Sequence, residues 1–206
     1  MNRLLLLLIL TTVFFSCGDN AEIPKEEPAP PAPTAAKSDS AESYLPIKDL
    51  LQAEVRNVES YAAGILRKAN IKGRKDSAFV QLPQFQRIAE QFMLKELDTI
   101  YFRENFTETS FMDQTTQKLN FIYAAKDSTS HLKKAVVYVQ PGEASNTMDR
   151  IYLETSWSQG DTLIEKTLTW KMRKYFYILT VKQPKSGNVI TTMEKLIWDP
   201  QHFGDE

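Results

Sequence analysis

The chain has 206 residues, with 25 lysines and arginines against 26 aspartates and glutamates, 42% hydrophobic and 11% aromatic. That is the composition of one globular domain with a tail, and a net charge of -1 excludes the strongly basic surface of a dedicated nucleic-acid binder. One cysteine and two histidines rule out an internal disulfide and supply too few soft ligands for a zinc site.

Asn2 and Arg3 precede an unbroken apolar stretch from Leu4 to Phe15. This is much shorter than the ~20 residues that cross a bilayer core, but it fits the apolar region of an export signal, so residues 1–16 are expected to be a signal peptide. The only cysteine, Cys17, follows the small Ser16 and precedes Gly18. This arrangement resembles the lipobox of bacterial lipoproteins. The resemblance implies cleavage before Cys17, a diacylglycerol on its sulfur and a further acyl chain such as palmitate on its amino group. Two long chains together contribute on the order of 20 kcal/mol of membrane binding, whereas one chain binds only marginally. Gly18 in place of an aspartate resembles lipoproteins passed on to the outer membrane. The expected location is therefore the cell envelope, anchored in the outer membrane and facing either the periplasm or the exterior.

Residues 17–44 hold five prolines between Pro24 and Pro33, among alanine, serine and charge. Such a segment cannot bury a core, and it is expected to be a disordered, partly extended spacer.

Residues 45–206 are long enough for a single α+β globular domain. Ile47, Leu50, Leu51, Val55, Val58 and Ala62 recur at three- and four-residue steps and predict one amphipathic helix. Ile65–Ile71 reads as either the end of that helix or a first strand. A second helix is predicted from Pro83, which suits a first turn, to about Leu97. The period then changes to that of strands. Runs rich in β-branched and aromatic residues occupy 106–112, 119–124, 135–140, 150–157, 162–172, 175–181 and 189–198. Turn residues at Ser158–Asp161, Arg173–Lys174 and Pro184–Asn188 link them. The expected fold is two N-terminal helices packed on a curved antiparallel sheet of about seven strands, a meander or half-barrel.

Helices followed by "FTETSFMDQTTQKLNFIYAAKD", "LTWKMRKYFYILTV" and "EKLIWD" resemble a group of small uncharacterised lipoproteins of the Bacteroidota type. That resemblance covers most of 45–199 and implies no activity, ligand or catalytic residue.

Motifs for chemistry are missing. There is no G-x-S-x-G, H-E-x-x-H, G-x-x-x-x-G-K or G-x-G-x-x-G. His131 and His202 fall in a polar loop and a tail, where solvated side chains are expected. Glu104, Glu108 and Asp113 are the one candidate carboxylate set, and chance explains their proximity better than a paired-acid site. Arg67, Lys68, Lys72, Arg74 and Lys75, and again Lys171, Arg173 and Lys174, form basic clusters expected to be solvated turn charges. Trp157, Trp170 and Trp198 share phase with apolar neighbours and are expected in the core.

The strands around Tyr138, Phe176 and Ile178 are apolar in both phases, so both faces need cover. Helix, partner protein and apolar ligand are the alternatives, and Tyr138, Phe176 and Ile178 mark the candidate apolar face. The functional expectation is a non-enzymatic, lipid-anchored envelope protein, with no cofactor or metal, that binds an apolar ligand or a protein partner. An accessory subunit of an outer-membrane complex is the alternative, and an envelope-sugar hydrolase the least favoured.

Overall fold

Strand alternation and a buried aromatic layer organise the molecule. The structure is a computed structural model, and it describes residues 44–142 and 145–204, all within one compact unit. Cys17, the expected signal 1–16 and nearly all of the spacer lie outside the described residues.

Helix α1 spans Ile47–Tyr61 and buries Ile47, Leu51, Glu54 and Val58 along one stripe, the spacing its sequence predicts. Strands β1 (Ile65–Ile71) and β2 (Arg74–Val80) follow as a hairpin. Its two-residue turn is Lys72-Gly73, with φ of 51° and 83°, and glycine is the residue that takes the second of these without strain. Then come α2 (Leu82–Ala89), two 3₁₀ turns at Glu90–Phe92 and Lys95–Leu97, and α3 (Thr99–Asn105). Seven more strands complete the chain: β3 (Phe106–Asp113), β4 (Lys118–Ala125), β5 (Leu132–Gln140), β6 (Thr147–Gln159), β7 (Thr162–Lys171), β8 (Tyr175–Pro184) and β9 (Ile190–Ile197).

The described strands form one antiparallel sheet in the order β2-β1-β9-β8-β7-β6-β5-β4-β3. β3 to β9 are the expected meander, with each of the seven strands near its predicted place. Two expectations need correction. The sheet has nine strands, because a hairpin stands between α1 and α2 and docks on the last strand through β1–β9 pairing. β2 reads RKDSAFV and is exposed along almost its whole length, so neither face carries the alternation that would reveal a strand. The helices are also not two consecutive N-terminal ones. The predicted helix 83–97 stops at Ala89, and Leu94 is extended at φ -64°, ψ 138°, after which the short α3 leads into β3.

The helices pack on one face of the sheet. Register places Val137, Ile151, Trp170, Phe176 and Leu196 in a row across that face, and all five are buried in the same core. Phe85 of α2 and Phe92 of the first 3₁₀ turn sit on Trp170, Phe176 and Trp198, with ring centroids 5.1–6.4 Å apart. A second ring cluster joins Tyr44, Phe102, Phe106 and Tyr123 at 4.5–5.9 Å. There the Tyr44 hydroxyl donates to the Phe106 carbonyl at 2.8 Å. Each large buried ring contributes several kcal/mol, so these clusters fix the helical layer to the sheet.

One carboxylate crosses the layers. Glu54 of α1, only 8% exposed, accepts from the Arg173 backbone N–H at 2.8 Å and from Trp170 Nε1–H at 3.4 Å. Arg173 stands at φ 63° in the β7–β8 turn, so the helix holds a strained turn in place.

Candidate functional site

The proposed apolar face does not exist as one surface. Phe176 and Ile178 are buried beneath the chain's own helical layer, at 0% and 3% exposure. Tyr138 pairs with Arg150 while its neighbour Val137 pairs with Ile151, so Tyr138 belongs to the opposite, outer face. Of the three possible covers, the inner face has helix.

The outer face is neither bare nor simply apolar. The Arg150 guanidinium lies 4.2 Å from the Tyr138 ring centroid, and Lys195 Nζ lies 4.6 Å from that of Tyr175. The Tyr152 hydroxyl donates to Glu154 at 2.8 Å. Burial, reinforced by that carboxylate, pushes the Tyr152 phenol up to about 12. Charges placed against rings solvate a face that sequence alone shows as aromatic.

The three candidate carboxylates do not converge. Asp113 caps a turn, accepting from Thr115 N and from Thr116 Oγ1 at 2.8 and 2.7 Å, and these bonds, the Thr116 hydroxyl first, hold its pKa below the usual range. Glu108 lies opposite Tyr123, ~17 Å of strand away from Asp113, and Glu104 is exposed on α3. The basic clusters are partly consumed in structure. Arg67 Nε donates to Glu194 at 2.5 Å and its Nη1 to Asp76 at 3.2 Å. Lys171 pairs with Asp149, which also accepts from Lys118 at 2.7 Å.

Two sequence expectations change here, and together they reveal a site. His131 is only partly solvated: its side chain is 36% exposed and packs T-shaped against Trp157, centroids 4.6 Å apart. Trp157 in turn is not in the core with Trp170 and Trp198 but stands half-buried at its rim. Between these rings and the chain after α2 lies a cleft of about 540 Å³, lined by Gln91, Leu94, His131, Thr155, Trp157 and Lys166, with Leu168 at its floor and Glu90 at its exposed mouth.

Strand geometry supplies most of this wall. Thr155 and Trp157 point to the helix side of β6 because they share phase with Leu153, and Lys166 of β7 is the direct cross-strand partner of Thr155. Such partners have Cβ atoms about 4.5–5.5 Å apart. Lys166 Nζ donates to Gln91 Oε1 at 2.7 Å and lies 5.6 Å from the Trp157 ring. Among the described residues no carboxylate comes within ion-pair distance of it. Burial, and then Lys182, hold its ammonium below the ordinary lysine value. Thr155 is 3% exposed, and its Oγ1 has no hydrogen-bond partner. His131 is held below its usual value by burial, against the opposing pull of Glu96, whose buried carboxylate lies 3.8 Å from Nδ1. That separation is electrostatic contact and not a hydrogen bond.

A half-buried cation with no carboxylate at ion-pair distance among the described residues, Glu194 acting on it only from further off, and a buried hydroxyl without a partner each cost free energy. Ring, cation and hydroxyl beside a cleft of this size are the usual furniture of a small-molecule site. The other hollows lack the combination. One of about 450 Å³ runs between α1 and α2 past Val55, Glu59, Gln86 and Met93. Another, of about 340 Å³, lies over β1, β2 and β9 at Asn70, Lys75 and Met193.

Among the described residues no helix is long and apolar enough to cross a membrane, and no group of three metal-ligating side chains converges. Searches against protein-family models, curated proteins and solved structures find no match to the chain.

Proposed function

We infer that the protein is a non-enzymatic binding module of the cell envelope. It is anchored through a lipidated Cys17 in the outer membrane and displays a sheet that curls around its helices as a half-barrel. Ligand enters the Trp157 cleft. The observation that carries this reading is Lys166, a half-buried ammonium whose hydrogen-bond partner among the described residues is a neutral amide, placed beside the unpartnered Thr155 hydroxyl. Both groups gain by meeting a ligand, and neither serves the core. The inner face of the sheet, by contrast, is filled with Phe85 and Phe92, which removes the motive for an apolar ligand there.

The test is thermal shift of the full-length protein in detergent micelles against defined sugars, sugar acids, amino acids, nucleotides and fatty acids. At a hundredfold excess over Kd, a bound ligand stabilises by about 2.7 kcal/mol, which is a shift of several degrees for a domain of this size. At least one class is expected to shift the native protein and leave Trp157→Ala unmoved. If every class leaves both unmoved, the reading is wrong.

An accessory role in an outer-membrane complex is the second reading. It is favoured by Phe111 and Met112, 46% and 41% exposed on edge strand β3. Photo-crosslinking from position 111 that traps one defined envelope protein would support it.

A further inference from the structure

We propose that the Trp157 cleft selects a carboxylated pyranose, a sugar acid of the kind found in envelope glycans, with the ring on the indole and the carboxylate on Lys166. The proposal deepens the binding-module reading and rests on it.

Three side chains impose three separate demands, and one ligand class meets all of them. The first is the cation. Lys166 is fixed by Gln91 at 2.7 Å and has no carboxylate within ion-pair distance among the described residues. An anionic ligand group supplies the missing half of a charge-assisted hydrogen bond, which is about twice as strong as a neutral one. The second is the ring. Trp157 packs T-shaped against His131 and has Lys166 Nζ 5.6 Å from its ring centre, contacts that restrict its orientation before anything binds and so lower the ordering cost of stacking. The third is the hydroxyl. Thr155 Oγ1, buried and unpartnered, gains a hydrogen bond from a ligand group that either accepts its proton or donates to it. A sugar hydroxyl can do either, whereas a hydrocarbon chain or ring can do neither.

Spacing supports the assignment. Thr155 and Trp157 are alternate residues on one face of β6, ~7 Å apart along the strand, and Lys166 faces Thr155 across the ladder. One six-membered ring with an exocyclic carboxylate spans that triangle. Glu90, exposed and lining the cleft, is available to accept from a ring hydroxyl. The cleft volume of about 540 Å³ takes one or two such rings. A fatty acid can meet Lys166 and Thr155 with one carboxylate but offers no further hydroxyls to the cleft's polar rim, and a neutral sugar leaves Lys166 without an anion.

The experiment is isothermal titration calorimetry on full-length protein in detergent micelles with three probes: glucuronate, glucose and phenylacetate. Glucuronate is expected to bind about tenfold or more tighter than either of the others, the worth of one charge-assisted hydrogen bond. Lys166→Met should erase the preference of glucuronate over glucose without weakening glucose. Lys166→Arg keeps the charge and should retain the preference. Thr155→Val should weaken both sugars. Circular dichroism verifies folding, and should Lys166→Met fail to fold, the Arg and Val variants still decide. Equal binding of glucose and glucuronate overturns the carboxylate assignment, and preference for phenylacetate overturns the sugar assignment. In either case Trp157-dependent binding leaves the module reading standing. If none of the three binds while another class gives a Trp157-dependent thermal shift, the sugar-acid inference alone falls. If nothing binds at all, both fall.

Discussion

Replacing Glu54 by alanine tests the link between helix layer and sheet. Glu54 Oε2 accepts from the Arg173 N–H at 2.8 Å, a partly buried bond, and from Trp170 Nε1–H at 3.4 Å, a buried one. A buried donor left without an acceptor costs about 1–3 kcal/mol. The shorter bond, to a backbone already strained at φ 63°, is assigned about 2 kcal/mol and the longer indole bond about 1 kcal/mol on the same scale. Removing the carboxylate also relieves its own desolvation, which holds the net effect of Glu54→Ala to about 2 kcal/mol. For a domain of this size, that lowers Tm by roughly 4–8 °C. Glu54→Gln keeps an acceptor oxygen and loses only the charge, for about 1 kcal/mol. Thermal and guanidinium denaturation followed by far-ultraviolet circular dichroism gives both values, and the near-ultraviolet tryptophan band should weaken in the alanine variant alone. If Glu54→Ala lies within about 1 kcal/mol of the native protein, less than one orphaned buried donor, the carboxylate does not hold the turn and the reasoning fails.

Asp149 accepts from Lys118 and Lys171 across three strands, and although burial alone would raise its pKa, those two partners lower it. A depressed carboxylate contributes stability above its unfolded pKa of about 3.9 that is lost as pH falls through the folded value. Asp149→Asn should therefore cost about 1–2 kcal/mol at neutral pH and flatten the acid limb of a Tm-against-pH curve. His131 behaves with the opposite charge logic. Its folded pKa lies below 6.5, so the unfolded chain takes up the proton first, and stability falls as pH drops below about 6.5 toward the folded value. His131→Gln should remove that slope between pH 7.5 and 5.5, read from the same scans. Phe92→Ala, which removes the ring packed on both Trp170 and Phe176, should cost about 3–5 kcal/mol. Cys17→Ala should move the protein from the membrane pellet to the aqueous fraction, and intact-mass spectrometry of the native protein should show acyl chains at that residue.

The seven-strand meander was legible because each of those strands has one phase facing a covered layer, and turn residues such as Gly160 and Gly187 interrupt the pattern. β2 was not, since an exposed edge strand has no buried phase to display. Nor was α3, seven residues long, too short to show two turns of periodicity. Trp157 misled for a different reason. Its phase is that of the core, but β6 runs to Gln159, past the end of the helical cover, so the last inward residues line a cleft instead. His131 and Lys166 gave no signal in sequence because a cross-strand neighbour and a lone cation are identifiable only once register is known. Tyr138 and Phe176 looked alike in composition and differ only in phase, which places them on opposite sides of the sheet.

The hairpin β1–β2 has one attachment to the remaining strands, through β9, and Ile71 meets Thr192 across more than half the chain. Closing so long a loop is slow compared with zipping a meander. Synthesis from the amino end thus delivers this hairpin early and its mate last. Until the carboxyl end arrives, β1 has a naked rim, and a stop codon ahead of residue 190 leaves that rim exposed for good. Quality-control proteases should recognise such truncations far more readily than equally short losses from the amino terminus.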